Sequence, residues 1–218
     1  MGVMAEAKRY LRLAVVMMGA VVLSTAALRA DAADSSSGSS TGSSGDPVSA
    51  AEAWFDSITT MKADFTQVAS DGTTATGELH FRRPHRMKII YDLDEPLILL
   101  TTPVWLHVDR PDEKRVTSYP IRETPLSLIL KEQVKLRDPD FRTQHNVRNG
   151  VTSIVLTKDT GEAAGQLTLE FTNEPFVLRR WSIRDSADVT TTVTLQNMRF
   201  GHSYENKFFA KKAYPQQN

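Results

Sequence analysis

Two periodicities divide the chain. Val48, Ala51, Phe55 and Ile58 recur at helical spacing with Trp54 beside them, and Asp46-Pro47 places an N-cap residue ahead of a proline at the first helical position. An amphipathic helix over about 47–60 is predicted. From there the period becomes two. TMKADFTQVAS and TATGELHFRR are joined by Asp71-Gly72, a hairpin signal, and RMKIIYDL, PLILLTT, VWLHVDR and EKRVTSYPI follow, separated by proline- and aspartate-bearing turns. The second half repeats the habit in VTSIVLT, GQLTLEFT, FVLRRWSIRD and TTTVTLQNMRF, with Asn149-Gly150, Asn173-Glu174-Pro175 and Asp185-Ser186 as punctuation. About ten short strands at regular spacing predict a mainly β fold of antiparallel meanders. A single helical interruption, ETPLSLILKE over 123–132, has Thr124 as its expected cap, and Leu126, Leu128, Ile129 and Leu130 leave little of its surface polar.

The alternation also assigns faces. Leu79, Phe81 and Arg83 are odd-numbered in one strand, while Glu78, His80 and Arg82 are even. If Leu79 and Phe81 point inward, Arg83 does too unless a bulge intervenes. A buried guanidinium without partners would be very costly, so Arg83 needs acceptors. Two solutions stand open: a salt bridge to Asp92, Asp94 or Glu95, or hydrogen bonds to backbone carbonyls. Beyond Pro84, Met87, Ile89 and Tyr91 share a second apolar face.

The N-terminus adds a compartment. Lys8, Arg9 and Arg12 precede an apolar run over 13–28, and Ala30-Asp31-Ala32 offers small residues at an exit. This describes a secretory signal peptide over 1–32, cleaved after Ala32; the run is short for a membrane span, which needs about 20 residues. A Ser/Gly-rich tether over 33–45 and a folded domain over 46–218 are expected to follow. The chain has no cysteine, so an apolar core must stabilise the domain without disulfides. Removal of 1–32 leaves 22 of 26 basic and 24 of 26 acidic residues, a net charge near −2 that gives no reason to expect nucleic acid.

Catalytic chemistry is hard to place. The five histidines stand at no metal-ligand spacing, GHSYE lacks the closing glycine of a nucleophile elbow, and there is no glycine-rich phosphate loop. No cofactor and no enzyme activity are expected.

MKADFTQ, FRRPHRMKIIYD after a glycine-containing hairpin, and ETPLSLIL further on form a recognisable series, and the chain resembles the LolA-type outer-membrane lipoprotein carriers from about Ala51 to Phe209. The resemblance implies an incompletely closed antiparallel β-barrel with a short helical lid and an N-terminal amphipathic helix. It implies a periplasmic carrier, expected to be a monomer. Such a carrier takes acylated lipoproteins from an inner-membrane lipoprotein-releasing ABC transporter and passes them to an outer-membrane acceptor. Arg83 matches the family arginine that holds the lid shut, and Leu126, Leu128, Ile129 and Leu130 fall in the lid. Leu79, Phe81, Met87, Ile89, Tyr91, Leu99 and Trp105 are the candidate cargo-binding residues. Met87 stands where the family commonly has an aromatic, and Thr102-Pro103 where many members have Asp-Gly. A periplasmic lipid or lipoprotein sensor of the same fold is the alternative, because a shared fold does not fix the cargo. A secreted hydrolase is the third reading, which ester substrates would test.

Overall fold

The computed structural model describes residues 45–124, 126–159, 164–185 and 188–215. The expected signal peptide, nearly all of the tether, and Pro125 lie outside the described residues. Helix α1 spans Pro47–Ser57, with the Asp46 carboxylate accepting from the Ser49 amide at 3.0 Å as its cap. It ends three residues before the expected limit. Ile58-Thr59-Thr60 is a β-branched run, stiff at χ1 and better suited to strand, and Ile58 is already extended.

Eleven strands follow: β1 (Thr60–Ala69), β2 (Thr74–Arg82), β3 (Arg86–Tyr91), β4 (Ile98–Thr101), β5 (Trp105–Arg110), β6 (Arg115–Pro120), β7 (Arg142–Arg148), β8 (Val151–Lys158), β9 (Gly165–Asn173), β10 (Phe176–Asp185) and β11 (Thr190–Phe200). They form one antiparallel sheet in the order β6-β5-β4-β3-β2-β1-β11-β10-β9-β8-β7. Each meander is built from sequential hairpins, and the pairing of β1 with β11 joins the two. β6 and β7 do not pair, so the sheet is not closed into a barrel.

The strand that the pattern missed is β7. RTQHNVR has no apolar face and is largely exposed, so period-two reasoning finds nothing in it. It forms because Asn149 and Gly150, at φ 52° and 75°, make a turn that folds it back on β8. Its arginines, with Val147 as its single apolar side chain, also suit a free sheet edge, where a sticky strand would recruit other chains.

The chain passes from the edge at β6 to the edge at β7 through a 3-10 turn (Ile121–Glu123), a short helix α2 (Leu126–Leu130) and a loop to Phe141. The expected helix over 123–132 is thus divided. A residue before proline is driven out of the helical region, and Thr124 is extended. Its hydroxyl donates back to the Ile121 carbonyl at 2.9 Å instead of capping α2. The connector is tied to α1: Arg137 makes a two-pronged pair with Asp46 at 2.5 and 2.6 Å, and the Leu136 amide donates to Glu52 at 2.6 Å.

One core results. Inward residues of both meanders join Val48, Ala51, Phe55 and Ile58 of the α1 region and the four apolar residues of α2 in a single cluster. At β10 a bulge adjusts the aim. Leu178 pairs with Phe171 and Arg180 with Glu170, so Arg179 is an extra residue. Strict alternation from Leu178 would send Arg180 inward and Trp181 outward; with the bulge both arginines are exposed and Trp181 is buried. Among the described residues no helix is long and apolar enough to cross a membrane.

Candidate functional site

Arg83 leaves β2 on the same face as Leu79 and Phe81, and only 7% of its side chain is exposed. It is not paired with Asp92, Asp94 or Glu95. One guanidinium nitrogen donates to the Phe55 carbonyl in the last turn of α1. The other donates to the carbonyls of Lys131 at 2.8 Å and Glu132 at 2.5 Å, and reaches the Asp56 carboxylate at 3.1 Å. These carbonyls lie at helix ends, where backbone acceptors lack intrahelical donors and a cation is favoured. Arg83 therefore joins the exits of α1 and α2 to the sheet. The His85 amide adds a bond to the Leu130 carbonyl at 2.9 Å.

Beneath this junction is an apolar cavity of about 20 Å³. Leu79 and Phe81 of β2, Met87 of β3 and Ile129 of α2 meet there. Pairing across β2 and β3 sets Phe81 opposite Met87 and Leu79 opposite Ile89, so these neighbours share a face by register. The volume suits about one water molecule, so the inner face is filled by the protein's own side chains.

Residues that the sequence reading did not assign to this site complete its wall: Trp54, Phe55 and Ile58 from the α1 region, Met61 of β1, and Leu178 and Trp181 of β10. The helical spacing had marked Phe55 and Ile58 as an apolar face without saying what it covers. Nothing local marked Trp181, whose orientation depends on the bulge.

The other candidates divide. Ile89 and Leu99 belong to the same buried cluster but lie away from this cavity. Tyr91 is buried too; its ring meets Phe65 edge-on at 5.3 Å, and its hydroxyl donates to Gln67 at 2.9 Å. Burial holds its phenol proton well above the ordinary range. Leu126, Leu128 and Leu130 are buried beside Ile129. Trp105 is a correction. It alternates with Leu106 and Val108, which are in the core, and so it stands with His107 and Asp109 on the outer face, 43% exposed.

That outer face is covered by the C-terminal segment, which carries a 3-10 turn at Asn206–Phe209. Arg82 donates to the Tyr204 carbonyl at 3.3 Å and to the Asn206 side chain at 3.1 Å, and it stacks over Phe209. It is thus an anchor for this strap. His80 Nδ1 lies 3.1 Å from the Tyr204 hydroxyl, with Phe208 packed edge-on against its ring. The Tyr214 hydroxyl donates to Asp109 at 2.7 Å. Burial lowers the proton affinity of His80; Glu78 partly opposes this, while Lys62 and Lys88 add to it.

No curated protein matches the sequence significantly. Among solved structures, a LolA superfamily protein from Nitrosomonas europaea aligns at 7% identity and a TM-score of 0.46, over 75% of this chain and 97% of that one. An uncharacterised conserved protein from Thermus thermophilus aligns at 10% identity and 0.46, over 74% and 88%. MucB, in its complex with MucA from Pseudomonas aeruginosa, aligns at 12% identity and 0.37, over 74% and 58%. Likenesses this distant say nothing about what is bound. The sequence match is direct: the family model described as outer membrane lipoprotein carrier protein LolA covers residues 56–212, from the last turn of α1 to the C-terminal strap, and the chain belongs to that family.

Proposed function

We propose that the protein is a periplasmic carrier that binds the acyl chains of lipoproteins released from the inner membrane and delivers them to the outer membrane. The observation that carries this reading is the Arg83 junction. One side chain holds two helices closed over a largely apolar inner face, using backbone bonds that can be broken and remade.

An acyl chain in water costs about 0.8 kcal/mol per methylene, so a sixteen-carbon chain represents on the order of 12 kcal/mol. A lipoprotein needs a dry surface to cross an aqueous compartment. The cavity of about 20 Å³ is too small for such a chain, so loading requires α1, α2 or both to move off the inner face. Closing energy, including the Arg83 bonds, is then subtracted from cargo affinity, which makes release possible. Leu79, Phe81, Met87 and Ile89 would supply the floor, with Tyr91 and Leu99 extending it, and α2 would act as the lid. Trp105 has no part in this floor.

No covalent step is involved. Entry to the periplasm would use the N-terminal 32 residues as a cleaved signal, and the mature protein would act as a monomer between a lipoprotein-releasing ABC transporter and an outer-membrane acceptor. The test is mass spectrometry of mature protein purified gently from its own periplasm. Bound peptides with an acylated N-terminal cysteine are expected. Free glycolipid or phospholipid alone would point to a lipid carrier or sensor. An empty protein that also fails to release lipoproteins from spheroplasts would overturn the reading.

A further inference from the structure

The wall of the inner cavity contains a hydrogen-bond donor that finds no acceptor among the described residues. Trp181 is 3% exposed and lines the cavity, and its indole Nε1 is buried. Thr73 and Thr191 also carry a buried hydroxyl without a hydrogen bond among the described residues, and neither lines the cavity; His80 Nε2 faces the Glu78 carboxylate at 3.3 Å. Buried donors are almost always satisfied, and phenylalanine or leucine would fill an apolar wall without the penalty of an unmet N–H. The bulge at Arg179 is what turns this tryptophan inward. Bulges are enriched beside functional sites, where they re-aim a side chain.

We propose that the Trp181 indole N–H is a specificity determinant that donates to the carbonyl oxygen of an ester or amide joining an acyl chain to its cargo. The inference rests on the acyl-carrier reading. An acyl chain that reaches this wall once the helices have moved brings its own carbonyl oxygen as its strongest hydrogen-bond acceptor, stronger than an ester or ether alkoxy oxygen. The acceptor must be neutral. Every residue lining the cavity is apolar or aromatic, so its wall offers no counter-charge. A free fatty-acid carboxylate would lose its hydration here with no counter-charge, whereas an ester or amide carbonyl requires only a donor. The site therefore selects acylated cargo over free fatty acid, and ester-linked chains over ether-linked ones of equal length.

The experiment uses the mature protein and two synthetic probes. One is a cysteine peptide carrying a dipalmitoylglyceryl group; the other is its dihexadecyl ether analogue. Dissociation constants are measured by competition against the radiolabelled ester probe, with palmitate as a third competitor. The wild-type protein should hold the ester about fivefold to tenfold more tightly than the ether, the worth of one hydrogen bond, and should bind palmitate more weakly still. Trp181→Phe should bring the ester's affinity down to the ether's, so that the ratio of the two falls to about one. Equal binding of ester and ether by the wild-type protein would overturn the inference while leaving the carrier reading intact. Binding of neither probe would overturn both. The ester-to-ether ratio of the wild-type protein needs no variant, so a poorly folded Trp181→Phe would not obscure the result.

Discussion

Arg83 donates to the main-chain oxygen of Lys131 at 2.8 Å, across 48 residues of sequence. With the bond to Phe55 it gives two separate helices one fastening point on the sheet.

Replacement of Arg83 by leucine tests what the fastening does. The variant should fold, because the core does not depend on the guanidinium, but lose about 2–3 kcal/mol of stability with its charged hydrogen bonds. It should load acylated peptide and fail to pass it on. Denaturant titration reads the first effect, and transfer of labelled lipoprotein to outer-membrane vesicles the second. Transfer at the normal rate would show that Arg83 has a structural role alone.

Ile129 touches the cavity from the α2 side and is 4% exposed. Ile129→Glu places a carboxylate that must reach water, which favours a displaced α2. Retention of a radiolabelled palmitoylated peptide through gel filtration should fall at least about tenfold while far-ultraviolet dichroism stays that of a β protein. Unchanged retention would show that α2 does not cover the bound chain.

Gly77 sits in β2 opposite both Phe65 of β1 and Tyr91 of β3, whose rings meet over it. A β-carbon there would overlap the Ile90 carbonyl oxygen and lie 2.9 Å from the Phe65 ring. Gly77→Ala should cost about 3 kcal/mol through overpacking against backbone that cannot yield. A thermal midpoint equal to that of the wild-type protein would refute the close approach.

The strap over the outer face should loosen in acid. Burial lowers the pKa of His80 and of His107 below the ordinary 6.5; Glu78, Lys62, Lys88 and Tyr204 face or act on the first, and Ser118 and Lys211 the second. In the unfolded chain both histidines take up a proton near 6.5, whereas in the folded chain they do so only at lower pH. Their contribution to stability is therefore complete above 6.5 and lost as pH falls through the folded values. Denaturation midpoints should drop between about pH 7.5 and about pH 5, and the double variant His80→Gln, His107→Gln should flatten that interval. An equal slope in the variant would assign the loss to other groups.

Local pattern determined a good deal. Period-two alternation located ten strands and fixed the inward face of β2 and β3, and with it the burial of Arg83. The helical spacing of Val48, Ala51 and Phe55 set the apolar side of α1. Such features follow from backbone geometry over a few residues, so they are written in neighbouring positions. β7 escaped because an exposed edge strand has no apolar face to alternate. Trp105 was misassigned because an apolar residue at a strand's start does not declare its face until its neighbours are seen packed. The long-range partners were decided by tertiary structure alone. Arg83 is held mainly by carbonyl oxygens, which every residue carries, so no side-chain type in the sequence could mark Phe55, Lys131 or Glu132 as its acceptors. The inward turn of Trp181 depends likewise on one extra residue at Arg179, and that extra residue exists only in the register between β9 and β10.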